Sequence, residues 1–362
     1  MKKFADRYLE VQDWGLAESG FHPERGRVSE SLFALANEHM GVRAYFEEGY
    51  SGDRLVGSYL NGVYEELRTQ KSYKGVSDRV CFMVNSVDWL YLRLRLDGET
   101  LDLAVSAHEE FRRSLDFRTG LLTRSFVWKT AGGKQLRLCF ERLLSMDLPE
   151  VGRQRLTLTA LDFAGPVELE AGLDFSPPHE VYGRNYWTCP EGRAVDHGAL
   201  LGGQSTGLGQ QVLARFELRG PGADDATFVR DAKYAGRVMR LTLARGVPSV
   251  VEKLSAVVAG RPGDAASDLE NRAADRLSAA LRQDFDTVLA ANRSYWDRVW
   301  EVSDITIEGD PLNQQGIRFC VFQLEQTFRG RNPAANIGAK GLSGEFYNGN
   351  YFWDTEVYCF PY

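Results

Sequence analysis

Residues 341–362, GLSGEFYNGNYFWDTEVYCFPY, gather aromatic rings, small residues and carboxylates with neither a helical nor a strand period. That mixture suits chemistry on a sugar. An aromatic ring covers the apolar C–H face of a pyranose. A neighbouring carboxylate accepts hydrogen bonds from adjacent hydroxyls, each charge-assisted bond contributing about 1.5 to 3 kcal/mol. Trp353 and Asp354 supply that pair, and Phe352, Tyr347 and Glu345 stand close enough in sequence to line the same pocket or brace its loop. Gly341, Gly344 and Gly349 allow tight turns beside a ligand, and Asp354 is placed to N-cap a helix through Val357 and Tyr358. The plainer alternative is a buried aromatic loop in which Asp354 only caps.

Other chemistries find less support. His22, His39, His108, His179 and His197 each stand alone, outside any H-E-x-x-H or G-x-S-x-G pattern, and read as structural, with no metal site implied. No G-x-x-x-x-G-K-[ST] loop is present to cradle nucleotide phosphates. Glu47 and Glu48 invite a catalytic reading, but adjacent residues of a strand point to opposite faces, so two solvated charges are expected. Within the turn-rich residues 177–211, Tyr182, Tyr186 and Trp187 either line a sugar pocket or anchor an ordinary loop.

The elements that must position these residues follow from hydrophobic period. Leu90, Leu92, Leu94 and Leu96 alternate with Tyr91, Arg93, Arg95 and Asp97, which marks a strand with one buried face. Similar runs recur to about residue 258, joined by hairpin signals at Arg118-Thr119-Gly120 and Ala131-Gly132-Gly133. Residues 1–25 read as an irregular lead-in, and residues 28–66 as short strands and tight turns. Many strands without intervening helices argue for a large antiparallel β-sandwich over residues 1–262. The period then changes. Leu269, Ala273, Leu277, Leu281, Phe285, Val288 and Leu289, resuming at Trp296 after the polar Asn292, predict a helical linker within 263–309, with a strand-like SDITIEGD at its end. Asp310-Pro311 starts a further helix, its expected buried face being Ile317, Cys320, Val321, Leu324 and Phe328.

Composition narrows the class. The chain of 362 residues is 43% hydrophobic with a formal net charge of −7, ordinary for a globular protein of two domains and unsuited to nucleic acid or an anionic membrane. The first residues lack the apolar run of a leader, no later segment is long and apolar enough to span a bilayer, and a cytoplasmic location is expected. Cys81, Cys139, Cys189, Cys320 and Cys359 are widely spaced and odd in number, which predicts reduced, buried thiols.

The stretch at 341–356 resembles the G-L-[ST]-G-E-x-Y-x-G-x-x-F-W-D-T-E signature of glycoside hydrolase family 65. ESLFALAN at 30–37 with Gly41-Val42-Arg43, YLNGVYE at 59–65, SLDFRTGLLTRSFVW and SYWDRVWEVSDITIEGD resemble the same family in the same order. The resemblance implies that the helix after Asp310 is the first of an (α/α)6 barrel, incomplete at residue 362, so that residues 310–362 begin a catalytic domain. It also implies that Trp353 and Asp354 hold the glucosyl unit where the bond is broken. The implied parent is an inverting phosphorylase of an α-linked disaccharide or glucoside, a homodimer with inorganic phosphate as co-substrate and no cofactor, releasing β-glucose 1-phosphate. Such an enzyme needs one general acid, whereas a hydrolase needs a second carboxylate to activate water. In the family the acid and the phosphate pocket lie C-terminal to W-D-T-E, so no catalytic residue is expected within 1–362. A trehalase-like hydrolase of the family and a non-catalytic carbohydrate-binding sandwich are the alternatives. Gly349-Asn350 stands where members commonly have Gly-His, which leaves the particular sugar open.

Overall fold

A computed structural model of the protein describes residues 8–68, 78–333, 335–359 and 362. Two antiparallel sheets share one hydrophobic core. The larger has eleven strands, running from Leu9–Gln12 and Gly15–Ser19 through Ala107–Asp116, Leu121–Lys129, Gln135–Leu144 and Val151–Ala160 to Ser249–Gly260, Gln211–Arg219 and Gly198–Ser205. The smaller, of five strands, centres on Gly165–Asp174, flanked by Tyr234–Leu243 and Leu92–Leu96. The leucines at 90, 92, 94 and 96 are all buried, as their alternation predicts. Both hairpin signals hold, with Asp116 paired to Leu121 and Lys129 to Gln135.

Three departures stand out, and in two of them charged and polar side chains turn inward. Residues 28–32 belong to helix α1 (Gly26–Leu32), not to a strand. Its inward residues are Ser29, bonded to Glu18 at 2.8 Å, and Glu30, which accepts from Leu55 N at 2.9 Å, so no apolar stripe announces it. Residues 8–25 are likewise no irregular lead-in but include two strands of the large sheet, while residues 1–7 lie outside the described residues. Glu47 and Glu48 are not solvated. They sit in a turn, both buried, and clasp the buried Arg124, with Glu47 also 3.3 Å from Arg142. The paired guanidinium groups hold the Glu47 carboxyl below its usual range against the opposing effect of burial.

The helical stretch is two helices, α2 (Ala266–Leu281) and α3 (Phe285–Ser303). Leu269 and Ala273 pack with Val258, Leu200 and Leu213, and Leu277 with Val151 and Leu254. Asn292 does not interrupt the buried face of α3. It is buried and accepts from Met146 N at 3.0 Å while donating to Leu144 O at 2.9 Å. Trp296 stacks on Phe322 with ring centroids 4.5 Å apart, which draws the next helix, α4 (Pro311–Thr327), into the same core. Asp310 caps α4 as expected, accepting from Asn313 N at 3.1 Å. Residues 304–309 form no strand, because Gln314 of α4 takes Ile305 O and Ile307 N instead. The buried face of α4 also differs from the expected one. Gln314, Gln315, Arg318, Val321, Phe322 and Gln326 point inward, Cys320 is exposed, and Ile317, Leu324 and Phe328 are half-buried. Cys81 is exposed as well, so the thiols are free but not uniformly buried.

Two small sheets form the platform for the aromatic stretch. Leu35–Ala36, Met40–Val42 and Ser58–Leu60 make one, and Tyr64–Arg68 with Arg79–Met83 the other.

Candidate functional site

Leu342 seats the stretch on this platform, buried among Ala36, Tyr59 and Met83. The approach is close enough that a Cβ on Gly41 would lie 2.3 Å from Leu342 Cβ. Arg43 donates to Ser343 O at 2.6 Å, and Tyr64 OH and Asn336 Nδ2 both donate to Gly349 O at 2.6 Å. Gly341 and Gly349 adopt φ of +55° and +64°, as turn residues should, but the space they open is filled by Thr327 and Met83 rather than left for a ligand.

Glu345 is the hub of the underside. Its side chain is fully buried, far from the surface its neighbours occupy, and both oxygens are engaged. Oε1 accepts from Tyr59 OH at 3.1 Å, Oε2 lies 3.0 Å from His179 Nδ1, and Glu180 N donates to Oε2 as well. Such donors offset the desolvation of a buried carboxylate. Burial and the adjacent Glu345 charge push the Tyr59 phenol well above its ordinary pKa, so it stays a donor. Of the two roles open to Glu345, the structure gives it the bracing one. His179 does not stand alone: it pairs with Glu345 and stacks on Tyr182 at 4.9 Å between centroids.

Tyr182 then donates to Asn348 Oδ1 at 3.0 Å, so the turn-rich loop after residue 176 does reach the aromatic stretch. Tyr186 and Trp187 stay in the core. Tyr347 and Asn348 take φ of +62° and +60°, left-handed geometry that a bulky Tyr rarely adopts. Asn348 N→Glu345 O and Asn350 N→Tyr347 O, each 3.0 Å, hold that turn. Its effect is to throw the Tyr347 ring outward, 58% exposed, where Phe352 meets it edge-on at 5.4 Å.

The outer surface carries the remaining candidates. Trp353 is 65% exposed, Asp354 is exposed, and Phe352 is half-buried. Asp354 is not an N-cap: the helical turn begins at Trp353, and Thr355 N donates to Phe352 O. Its carboxylate makes no hydrogen bond among the described residues, and the residue is exposed, as is its neighbour Trp353. Glu356 accepts from Tyr351 OH, a bond that pushes the Tyr351 pKa up to about 12. Exposed rings and a carboxylate unengaged among the described residues thus lie over a braced floor, an arrangement fit to bind a sugar ring. The deep residues of that floor escape sequence reasoning in different degrees. Tyr59 and Tyr64 fall within YLNGVYE, a signal at hand, whereas nothing around His179 announces a partner 166 positions away.

The family model described as "Glycosyl hydrolase family 65, N-terminal domain" matches residues 16–299, and "Glycosyl hydrolase family 65 central catalytic domain" matches residues 318–362. The maltose phosphorylase of Bacillus subtilis is 29% identical over 361 residues, covering 98% of this chain and 47% of the relative. The alpha,alpha-trehalose phosphorylase of Thermoanaerobacter brockii is 27% identical over 377 residues, covering 97% and 47%. A solved structure described as "Putative kojibiose phosphorylase from human microbiome" superposes with a TM-score of 0.93 at 33% identity, covering 98% of this chain and 47% of that one. The chain spans about half the length of these relatives. With the N-terminal-domain model alone covering most of its residues, the chain belongs to glycosyl hydrolase family 65.

Proposed function

We propose that this chain is the substrate-gripping half of an inverting phosphorylase of an α-linked glucoside or disaccharide, with inorganic phosphate as co-substrate, β-glucose 1-phosphate as product and no cofactor. The observation that carries the reading is Asp354: an exposed carboxylate with no hydrogen bond or ion pair among the described residues, next in sequence to the exposed Trp353, on a loop whose underside is bonded in place. Trp353 covers the C–H face of the glucosyl ring, Asp354 accepts from two of its hydroxyls, and Phe352 and Tyr347 wall the pocket. Glu345 and His179 hold the loop. The names of the maltose, trehalose and kojibiose phosphorylase relatives support the reaction class.

The general acid comes from other residues, because Glu345 is buried and engaged and Glu356 is held by Tyr351. Residues 1–262 act as the sandwich domain, 263–309 as a helical linker, and 310–362 as the opening of an (α/α)6 catalytic barrel that works as a homodimer. A cytoplasmic setting suits five free cysteines, two of them exposed. Among the described residues no helix is long and apolar enough to cross a membrane.

The test uses a polypeptide carrying these residues followed by a complete catalytic domain. Incubated with maltose, kojibiose or trehalose, it should release β-glucose 1-phosphate only when phosphate is added. Release of free glucose without phosphate would overturn the reading in favour of a hydrolase.

A further inference from the structure

A second aromatic and acidic pocket lies on the outer face of the smaller sheet and shares no residue with 341–362. Along Gly165–Asp174 the buried Leu169, Ala171 and Leu173 alternate with Glu170, Gly172 and Asp174, which face outward. Gly172 pairs with Gly236 of the neighbouring strand; a Cβ on Gly172 would fall 2.3 Å from the Tyr234 ring, and one on Gly236 2.3 Å from its hydroxyl oxygen. The paired glycines are therefore a floor on which Tyr234 lies flat. Its hydroxyl donates to Glu170 Oε1 at 2.7 Å, so the ring is fixed at its far end too. Tyr91 stands beside it, centroids 5.0 Å apart and planes inclined by 53°, with the Arg93 guanidinium 3.9 Å from the Tyr91 centroid on its own account. Asp174, Ser176 and the Asp231-Ala232-Lys233 turn close the rim of a pocket of about 450 Å³.

Both oxygens of Asp174 accept from Ser176, through its N and Oγ, but the other groups keep more of their hydrogen-bonding capacity. Glu170 uses one oxygen on Tyr234, Asp231 uses one on Ala232 N, and the Tyr91 hydroxyl makes no hydrogen bond among the described residues. Lys233 Nζ is anchored on Asn185 Oδ1 at 2.5 Å. Three carboxylates against one ammonium repel an anion, and a wall this polar gives a purely apolar ligand little to bury. A neutral polyhydroxylated ring meets both halves of the lining: hydroxyl pairs for the carboxylates and a C–H face for the tyrosines. The volume is within the range of small-molecule sites, and rings already immobilised lose little entropy on binding.

We propose that this pocket is an accessory site for a neutral sugar, formed by residues other than those that hold the substrate. The probe is maltotriose, titrated calorimetrically into the 362-residue protein carrying Asp354→Asn to weaken the other site. Binding should persist in that background and weaken about tenfold with Tyr91→Ala. Asp231→Asn, an exposed change at the end of Thr227–Asp231 that keeps the oxygen accepting from Ala232 N, should weaken it as well, so a misfolded Tyr91 variant would not leave the matter open. Absence of binding in the Asp354→Asn protein, binding unchanged by both pocket substitutions, or displacement of maltotriose by putrescine would each overturn the assignment.

Discussion

Replacing Glu345 by Ala removes the acceptor shared by Tyr59 OH, His179 Nδ1 and Glu180 N. A buried donor left without a partner costs about 1 to 3 kcal/mol. Tyr59 and His179 are 0% and 1% exposed, so water cannot replace the carboxylate there, whereas the backbone at the half-buried Glu180 can be resolvated. Two full penalties give about 2 to 6 kcal/mol, a large part of the stability of an ordinary domain. For a chain of this size, with a urea slope of about 3 kcal/mol/M, the unfolding midpoint should fall by about 0.7 to 2 M. Glu345→Gln keeps one oxygen for His179 and Glu180 and turns its amide toward the Tyr59 oxygen, so it should recover most of the loss. Because His179 and Glu345 share one bond, adding His179→Ala to Glu345→Ala should cost far less than His179→Ala alone. A Glu345→Ala midpoint within about 0.2 M of the parent, or strict additivity with His179→Ala, would refute the brace.

In a chain with a complete catalytic domain, Asp354→Asn should lower kcat/KM by about 2 to 4 kcal/mol, and a loss under threefold would show that the carboxylate does not grip the substrate. Burial pulls the Lys253 ammonium down to about 7 from 10.5, although Trp89 O, Tyr91 O and Gly172 O all accept from it. The unfolded chain then holds the extra proton between these values, so wild-type stability should rise with pH from about 7 to 10 and fall as pH drops back through that window, a slope absent in Lys253→Met; parallel curves in denaturant melts would contradict it. Burial lifts the thiols of Cys139 and Cys189 to about 11, so an aromatic disulfide reagent at about pH 8 should modify the exposed Cys81 and Cys320 well before them, and equal rates would count against the burial described. Limited proteolysis should leave a resistant fragment reaching past Thr327, because Trp296, Trp300, Val321 and Phe322 belong to the main core; cleavage near Gly260 would show instead that the sheets stand without the helices.

What the sequence discloses depends on whether a residue's neighbours in space are also its neighbours in the chain. Alternation at Leu90 to Leu96, the hairpin turn at Arg118-Thr119-Gly120 and the Asp310-Pro311 helix start are local patterns with local causes, and each is where it was expected. The exposed half of the site belongs to the same category, since Tyr347, Phe352, Trp353 and Asp354 are read off one stretch. Its buried half is not local. Glu345 meets Tyr59 286 positions away and Glu180 165 positions away, and only the folded chain converts an isolated histidine at 179 into part of that contact. Glu47 and Glu48 fail for a related reason: their charge says surface, and it takes Arg124, 76 positions on, to make burial affordable.

Helix α4 shows how a sound periodicity argument selects the wrong partner. An apolar stripe is expected to face the core, on the assumption that the core presents apolar side chains. Here α4 lies against the hairpin of Leu9–Gln12 and Gly15–Ser19 and against the short strand Leu35–Ala36, which present backbone groups to it. Gln315 accordingly donates to Glu10 O at 3.0 Å and Gly15 O at 2.8 Å, and Gln326 accepts from Ala36 N at 2.9 Å. Arg318 donates to Asp13 O at 3.0 Å with its guanidinium 3.6 Å from the Trp14 ring centroid. Side-chain amides and a guanidinium can bond such backbone groups, so much of the inward face is polar, while Val321 and Phe322 of the same face enter the core. Cys320, Leu324 and Phe328 are left to line a groove of about 670 Å³ with Ile337 and Tyr358, on the side where the aromatic stretch ends. The stripe was real; it marks the face that α4 turns toward the residues after it, while the polar face records its bond to the strands before it.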